Sequence, residues 1–484
     1  MIAELAAKGY EPVIGLEIHV QLQTQTKMFC GCRLSFGDEP NTHVCPVCLG
    51  HPGTLPTVNA QAIQYGLMVA EALGCEIAPR SIFHRKNYFY PDLPKGYQIS
   101  QYDIPLGSAG TLGGVRVHRV HLEEDAAKLT HVGESGRIHG SGSSMVDFNR
   151  GGTPLLEIVS EPDIETPAQA REWLQLLRTT VRQIGVSDAN MEEGSLRCDA
   201  NVSIRRPGAE LGVKTELKNL DSLRFLERGV EAELARQLAV IEAGDAVEQA
   251  TMHYDPSSGS LTTLRSKEQA HDYRYFPEPD LVPVVPTETM LREAREALPE
   301  LPGARHERYR DTLGLSDDVA RLLAFDDSLG GFYEQVLAAD PAPDAQAAAK
   351  WVTGDLVARV REHGHDTLAD APVTPQALAE LIAMVQAGEV SNQAARDVLG
   401  HMVADGRDPA TVVEAEGLGG VSDSSELDAM VERAMEANPD AVQKIRNGEM
   451  KAIGPIIGAV MREAQGRADG KQVTAIVREK LGLG

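Results

Sequence analysis

The sequence predicts an α/β domain followed by an all-helical region. Residues 13–22 and 196–205 each have an apolar side chain at every second position, which is typical of strands. Residues 166–185 have apolar side chains at helical spacing, with Thr166, Pro167 and Gln169 as start signals and Gly185 as the end. After about residue 291 strand alternation nearly disappears, so the remainder is predicted to be helical.

The first predicted strand carries two candidate metal ligands. Glu17 and His19 are two positions apart, so a strand projects both side chains from the same face. They could share a cation. They could equally form an ordinary solvent-facing polar side, and the spacing leaves both interpretations open.

Four cysteines follow in two close pairs. Cys30 and Cys32 form C-G-C, and Cys45 and Cys48 form C-P-V-C after an interval of twelve residues. Four thiolates can complete a tetrahedral zinc shell. The alternative is a group of buried or redox-active cysteines. Because four protein ligands leave no open position, we predict a structural zinc site.

Residues 60–73 form the next predicted helix, and residues 85–98 are dense in basic, aromatic and proline residues. The dense stretch includes Lys86, Asn87, Tyr88 and Tyr90. It could hold phosphate and stack on an adenine or a tRNA 3′ end, but a well-packed loop would have the same composition. Residues 272–280 have a similar composition and the same ambiguity.

Acidic residues lie in or beside two further predicted strands. The string H-L-E-E-D at residues 121–125 ends an apolar run, and its acids either cap an element or bind metal. Glu157 lies inside the otherwise apolar run at residues 152–162, where a carboxylate needs a partner or a metal. If Glu124 and Glu157 lie near His19, the three side chains suit Mg²⁺ or Mn²⁺.

The predicted strand at residues 196–205 is followed by Pro207 and Gly208 and then by a second alternating run, residues 212–219. An antiparallel hairpin is the natural interpretation. A helix is predicted to start near Asp221. In the helical region, a Gly- and acid-rich stretch at residues 414–425 is predicted to separate two helical modules.

Composition limits the class of protein. A length of 484 residues predicts two to four domains. The net charge of −25 argues against broad nonspecific nucleic-acid binding. Residues 441–484 differ, since eight Lys/Arg and four Asp/Glu give a local net charge of +4. That basic end could bind nucleic acid or be a solvated helix face.

Neither a membrane span nor a secretion signal is apparent in the sequence. No apolar run approaches the roughly 18 residues that a membrane span needs, and residues 1–9 lack the pattern of a signal peptide. We therefore expect a cytoplasmic protein with no membrane partner. There is also no G-x-x-x-x-G-K-[ST] loop, so any ATP must be held without a P-loop.

Taken together, several long strings resemble one family, the B subunit of the bacterial tRNA-dependent amidotransferase (GatB/GatE). The opening string V-I-G-L-E-I-H-V at residues 13–20 matches, as do residues 85–101, 121–125, 152–164, 191–203 and 216–222, in family order. Residues 448–458 resemble, more loosely, the tRNA-binding tail of YqeY-like proteins. The resemblance covers almost all of the first 290 residues.

The resemblance implies three domains. It implies an α/β (α+β) catalytic cradle of the glutamine synthetase type at residues 1–292, which would carry the four-cysteine zinc site. An all-α helical domain would follow at residues 293–410, and an all-α, YqeY-like tRNA-binding tail at residues 411–484.

The resemblance also implies an activity, that of a ligase. ATP would phosphorylate the side-chain carboxylate of mischarged Glu-tRNA(Gln) or Asp-tRNA(Asn), and ammonia would then displace phosphate to give Gln-tRNA(Gln) or Asn-tRNA(Asn). The implied partners are an amidase A subunit, a small C subunit and the mischarged tRNA, with the cognate aminoacyl-tRNA synthetase as a further candidate. The implied cofactors are Mg²⁺, with Mn²⁺ as an alternative, and structural Zn²⁺.

The site residues follow from the same resemblance. The implied catalytic residues are Glu17, His19, Glu124 and Glu157, of which the last three would hold the magnesium ion. The candidate contacts to substrate or ATP are Lys86, Asn87, Tyr88, Tyr90, Asp199, Asn201 and Lys214.

Overall fold

The computed structural model describes residues 1–132, 142–266, 273–365, 367–419, 424–447, 449–464, 468 and 470–482. The chain forms two compact units, Met1–Gly303 and Ala304–Gly484. No described helix combines the length and the apolar character that crossing a membrane requires.

The first unit is mixed α/β. Its strands are β1 (Glu11–Gln21), β2 (Glu76–Ile77), β3 (Phe83–Asn87), β4 (Tyr97–Gln101), β5 (Gly107–Leu112), β6 (Val115–Glu124), β7 (Lys128–Val132), β8 (Ser143–Asp147), β9 (Pro154–Ser160), β10 (Leu196–Arg205), β11 (Thr215–Lys218), β12 (Ala250–Asp255), β13 (Ser260–Ser266) and β14 (Phe276–Pro277). Its helices are α1 (Ile2–Ala7), α2 (Ala60–Ala72), α3 (Pro167–Gln183), α4 (Leu223–Glu242) and α5 (Glu288–Glu296).

Nine strands form one large sheet in the order β13-β12-β11-β10-β1-β9-β6-β5-β2. The pairs in this sheet are antiparallel except β11 with β12, which is parallel. A smaller sheet has the order β14-β3-β4, and β7 pairs with β8. The predicted hairpin between residues 196–205 and 212–219 is confirmed, because β10 and β11 are adjacent and antiparallel.

The two faces of the large sheet differ in polarity. Leu16, Ile18 and Val20 of β1 are fully buried in the main apolar core, which also includes residues of α2, α3 and α4. Helix α4 packs on β10, and α2 packs on β6. Since strand side chains alternate, the other face of β1 presents polar residues. This polar face holds the candidate site.

Helix α3 confirms its predicted start. The Thr166 hydroxyl accepts a hydrogen bond from the Gln169 amide at 3.0 Å. In a capping box the Gln169 side chain would accept a hydrogen bond from the Thr166 amide. It accepts from the Glu165 amide instead, one residue earlier in the chain. The helix ends at Gln183, and Gly185 then takes a positive φ of 72°.

The second unit confirms the prediction of an all-helical region. Its helices are α6 (Pro302–Asp311), α7 (Asp317–Phe325), α8 (Asp327–Leu337), α9 (Ala345–Lys350), α10 (Val357–Glu362), α11 (Pro375–Ala387), α12 (Asn392–Asp405), α13 (Pro409–Glu416), α14 (Ser424–Glu436), α15 (Pro439–Arg446), α16 (Gly454–Glu463) and α17 (Gly470–Lys480). A π-helical turn spans Trp351–Leu356, and 3₁₀ turns span Leu368–Asp370 and Met450–Ile453.

Two separate apolar clusters stabilise this helical part. One includes residues from Tyr309 to Val412, and the other includes residues from Leu427 to Val477. The predicted separating stretch, residues 414–425, lies between these clusters, although residues 420–423 are outside the described residues. The domain division at residues 292 and 410 stays a prediction. Residue 448, at the start of the tail string, is also outside the described residues.

Candidate metal and phosphate site

Three adjacent strands place ionisable side chains in one row across the sheet. His19 of β1 lies opposite Glu157 of β9, and Glu157 lies opposite His121 of β6. Glu17 and Glu123 share this face, because each is two residues from a member of the row. Residues far apart in the sequence therefore meet through strand register.

The cluster formed by Glu17, His19, His121, Glu123 and Glu157 is compact. Glu157 Oε2 lies 3.3 Å from His19 Nε2 and 3.5 Å from His121 Nε2. His19 Nε2 also lies 3.6 Å from Glu123 Oε1 and 3.8 Å from Glu17 Oε1. We call these five side chains the acidic cluster.

Opposite charges set the electrostatics of most of the acidic cluster. Burial opposes the charges of Glu123 and Glu157, but the neighbouring histidines lower the pKa of both carboxyl groups. Burial, and then the neighbouring Glu157, raise the pKa of Glu17. Burial opposes a charge on His19, but the hydrogen bond to Glu157 and the carboxylates of Glu123 and Glu17 raise its pKa to about 9. Three carboxylates that converge in a buried place favour a bound cation.

The donor set fits a hard divalent cation. Ligand atoms of Glu17, His19 and Glu157 lie within 4.8 Å of one another, and so do those of His121, Glu123 and Glu157. Carboxylate oxygens with an imidazole suit Mg²⁺ or Mn²⁺. The ring nitrogen of His121 that faces the carboxylates is Nε2, which lies 3.8 Å from Glu123 Oε2 and 3.5 Å from Glu157 Oε2.

Glu124 does not join the acidic cluster. Because it follows Glu123 directly in β6, it points to the opposite face. Its carboxylate pairs with Lys95 and accepts a hydrogen bond from the Ile99 amide at 3.0 Å. The expected convergence of His19, Glu124 and Glu157 is therefore not found, and Glu123 takes the position expected of Glu124.

A cavity of about 570 Å³ lies over the acidic cluster, between the large sheet and the smaller sheet. The cavity is lined by three members of the acidic cluster and by three basic side chains: Glu17, His121, Glu157, Lys86, Arg119 and Lys218. The remaining lining residues are Ser100, Gln101, Tyr102, Glu216, Thr251, Leu264, Tyr273 and Tyr275. The cavity thus combines cations, anions and aromatic rings.

Its aromatic wall is ordered. The rings of Tyr102 and Tyr275 are stacked, with centroids 4.2 Å apart and planes 9° apart. Tyr273 meets Tyr275 edge to face at 6.2 Å. The 272–280 segment thus contributes to the cavity, although residue 272 is outside the described residues.

The residues predicted in the 85–98 stretch have different surroundings. Lys86 lines the cavity, with Nζ 5.0 Å from the centroid of Tyr273. Asn87 is used structurally, because its amide donates to the Arg274 carbonyl at 2.8 Å. Tyr88 packs edge to face on Tyr273, and Tyr90 is exposed and outside the cavity lining.

The predicted substrate contacts on β10 and before β11, which are Asp199, Asn201 and Lys214, also differ in their surroundings. Asp199 accepts a hydrogen bond from Lys218 at 2.6 Å, and Asn201 lies opposite Glu216 in the strand register. Lys214 is exposed and lies just before β11, which begins at Thr215. Lys218 lines the cavity instead.

Two members of the acidic cluster, His121 and Glu123, and the cavity residue Lys218 were not among the predicted site residues, although the sequence carries a signal for each. His121 and Glu123 are two positions apart, as Glu17 and His19 are, so their shared face was readable from the alternation of the strand. Lys218 stands on the same side of its alternating run as Lys214. For Arg119 and Tyr102 no comparable pattern marks a role.

The four predicted zinc cysteines come together. One Sγ atom from each of Cys30, Cys32, Cys45 and Cys48 lies within 4.8 Å of the others. The Cys45 amide donates to Cys48 Sγ at 3.2 Å. The hydrogen bond from Cys30 is the main cause that lowers the pKa of Cys48, to about 4. The group therefore has the four-thiol composition of a structural zinc site.

Comparison with known proteins identifies the family. A family model described as the GatB/GatE catalytic domain matches residues 12–292, and a second, described as the GatB domain, matches residues 331–481. The chain belongs to the GatB/GatE family. The acidic cluster, the cavity and the four cysteines all lie within the part matched by the catalytic-domain model.

Curated relatives of this family match over nearly the whole chain. A protein of Moorella thermoacetica is 47% identical over 98% of this chain and 100% of its own length. A protein of Thermus thermophilus is 46% identical over 98% of this chain and 100% of its own length. A protein of Persephonella marina is 44% identical over 98% and 99%. All three carry the name of the B subunit of an aspartyl/glutamyl-tRNA(Asn/Gln) amidotransferase.

Proposed function

We propose that this chain is the B subunit of a tRNA-dependent amidotransferase. Its substrates are mischarged Glu-tRNA(Gln), Asp-tRNA(Asn) or both, and its product is the corresponding amide. Membership of the GatB/GatE family and the names of relatives across the full length support the assignment. The cavity over the acidic cluster is the observation on which the chemistry rests.

The reaction needs activation of a carboxylate. An oxygen of the substrate's side-chain carboxylate attacks the γ-phosphorus of ATP, ADP leaves, and an acyl phosphate forms. Ammonia then attacks the acyl carbon, and phosphate leaves. Lys86, Arg119 and Lys218 surround the cavity and offset negative charge on the transferring phosphoryl group.

The acidic cluster supplies the metal site in this proposal. Mg²⁺ or Mn²⁺ would be held by one of the two ligand sets that share Glu157, either Glu17, His19 and Glu157 or His121, Glu123 and Glu157. A divalent ion held there would supply positive charge that offsets negative charge on phosphate oxygens. Glu157 is kept in place by Arg119, whose guanidinium lies 3.1 Å from its carboxylate. The tyrosine wall offers flat surfaces for an adenine or for the 3′ end of tRNA.

The four-cysteine group would hold a structural zinc ion, because all its ligands come from the protein. The first unit would form a glutamine synthetase-type cradle, and the last helical cluster would form a YqeY-like tRNA-binding tail. Partners would be an amidase A subunit that supplies ammonia and a small C subunit. The cognate aminoacyl-tRNA synthetase is a further candidate, and the expected compartment is the cytoplasm.

The test compares Lys86 and Lys214, which the sequence analysis predicted as contacts to substrate or ATP. Only Lys86 lines the cavity. The complex with the amidase and C subunits is assayed for phosphate release that depends on ATP and mischarged tRNA. Lys86→Met should lower kcat by about 10²- to 10³-fold, because a preorganised cation facing the phosphoryl group is lost. Lys214→Met should leave kcat unchanged, because Lys214 is exposed outside the cavity.

The wild-type complex decides the function itself. Amidation of at least one mischarged tRNA is expected. If tRNA binds but no tRNA-dependent phosphate release occurs, the chain is a non-catalytic tRNA adaptor. If the chain turns over a small molecule alone without tRNA, it is a free-standing amide ligase. Either result overturns the proposal.

A further inference from the structure

A lysine is buried beside the four cysteines. Lys27 is only 1% exposed, yet it is not in the acidic cluster or the cavity above it. Its ammonium donates to the Phe148 carbonyl at 2.9 Å and lies 3.7 Å from Cys48 Sγ. A buried ammonium requires negative charge nearby, since burial removes its hydration.

The four-cysteine site is the available source of that charge. Two carboxylates, Glu124 and Asp280, line the same cavity of about 220 Å³ as Lys27, but they are already paired with Lys95 and with Arg85. Zinc with four thiolates retains net negative charge, because the thiolates outnumber the charge of the ion. Cys48 is also the sulfur that accepts the Cys45 amide, so two donors converge on one sulfur.

The second contact of Lys27, its hydrogen bond to the Phe148 carbonyl, lies in the segment that precedes a strand of the acidic cluster. Phe148 begins the turn before β9, the strand that carries Glu157. The cysteine loop binds the same turn through other contacts. Asn41 Oδ1 accepts from the Phe148 amide at 2.8 Å, and the His43 amide donates to Asn149 Oδ1 at 2.8 Å. Lys27 is thus located at the junction of the cysteine site and this turn.

We propose that Lys27 is an outer-sphere partner of the four-cysteine metal site and couples metal occupancy to the order of the turn before β9. The proposal rests on the structural zinc site proposed above. Lys27 acts as a positioning residue: its ammonium offsets the charge of the thiolates and holds the Phe148 carbonyl at a fixed distance from Cys48. Hydrogen bonds around metal ligands commonly change metal affinity by about 10- to 100-fold.

Zinc release tests the role of the charge. Zinc-loaded full-length protein is mixed with excess chelator, and release is followed with a chromophoric indicator. Lys27→Met, which keeps the length of the side chain without its charge, should release zinc about 10- to 100-fold faster. Lys27→Arg should restore slow release. Lys95→Met is the matched control, because Lys95 lines the same cavity but pairs with Glu124, and its release rate should equal that of the wild type.

Hydrogen exchange tests the coupling. Removing zinc from the wild type should speed amide exchange in peptides covering residues 146–153, and Lys27→Met should show the faster exchange even with zinc bound. Unchanged exchange after zinc removal overturns the coupling, and this holds even if Lys27→Met does not fold. Equal release from Lys27→Met and the wild type overturns the role of Lys27 alone. Equally fast release from Lys27→Met and Lys27→Arg assigns the effect to packing and overturns it too. A wild type that binds no zinc overturns both the zinc site and this inference.

Discussion

Two consecutive acids, Glu123 and Glu124, show how a single position in a strand decides a role. Both are 3% exposed, and composition does not distinguish them. Glu123 Oε1 lies 3.6 Å from His19 Nε2, whereas Glu124 pairs with Lys95 on the opposite face of the sheet. A strand therefore gives neighbouring residues different partners.

Substitution of Glu123 and of Glu124 should have different effects on the affinity for Mn²⁺. Glu123→Gln should weaken Mn²⁺ binding by about 10- to 100-fold, because an amide replaces a carboxylate in the acidic cluster. Glu124→Gln should bind Mn²⁺ as the wild type does. Binding is measured by electron paramagnetic resonance of free Mn²⁺ during titration. Loss of binding in Glu124→Gln alone would restore Glu124 as the ligand and contradict the role of Glu123.

At the scale of elements, the short strand β11 depends on a buried polar network with α4. Glu233 of α4 is fully buried, and it accepts a hydrogen bond from the Thr215 hydroxyl at 2.5 Å. Gln237 donates to both residues at 2.9 Å, and Arg236 pairs with Glu233 at 2.7 Å. The network holds the start of β11, the strand that brings Glu216 and Lys218 to the cavity.

Thr215→Val should destabilise the first unit by about 1–3 kcal/mol, because the buried Glu233 carboxylate loses a donor while side-chain volume is kept. The free energy of unfolding is measured by urea titration in a Trp351→Phe background. Fluorescence then reports Trp173, which is in the core of the first unit.

The control for this change is Thr262→Val on β13, where the side chain is exposed. Its effect should stay within about 0.5 kcal/mol. Equal stability of both variants would show that the network contributes nothing measurable to β11.

At the scale of the whole molecule, the described helices after α13 have an apolar core of their own. That core includes Leu427, Val431, Ile445, Ile456 and Val473, and the preceding helical core ends at Val412. The basic excess of the sequence also lies in this last part. Part of the charge is used internally, since Lys480 pairs with Glu432 at 2.7 Å.

A chain ending at residue 419 should bind tRNA more weakly, and the dependence of its affinity on salt should be shallower, because fewer cations displace counterions from phosphate. Filter binding at several salt concentrations measures both quantities. The first unit should stay folded, as shown by Trp173 fluorescence and unchanged Mn²⁺ binding. Unchanged tRNA affinity would show that the basic end is only a solvated surface.

The sequence by itself determined the local structure. The strand β10 and the start and end of α3 follow from periodicity and capping, which depend on neighbours within a few residues. The spacing of the four cysteines similarly predicted that they act as one group, and the structure brings them together. Long matching strings also determined the family, since many local matches in a fixed order are specific.

Only the tertiary structure decided which residues face one another. The choice of Glu123 over Glu124, and of Lys218 over Lys214, depends on where each strand begins and on its register with its neighbours. The burial of Lys27 against Cys48 depends on a loop folding back on a distant turn. Register and loop docking are set by contacts between residues far apart in the chain, so no local pattern contains them.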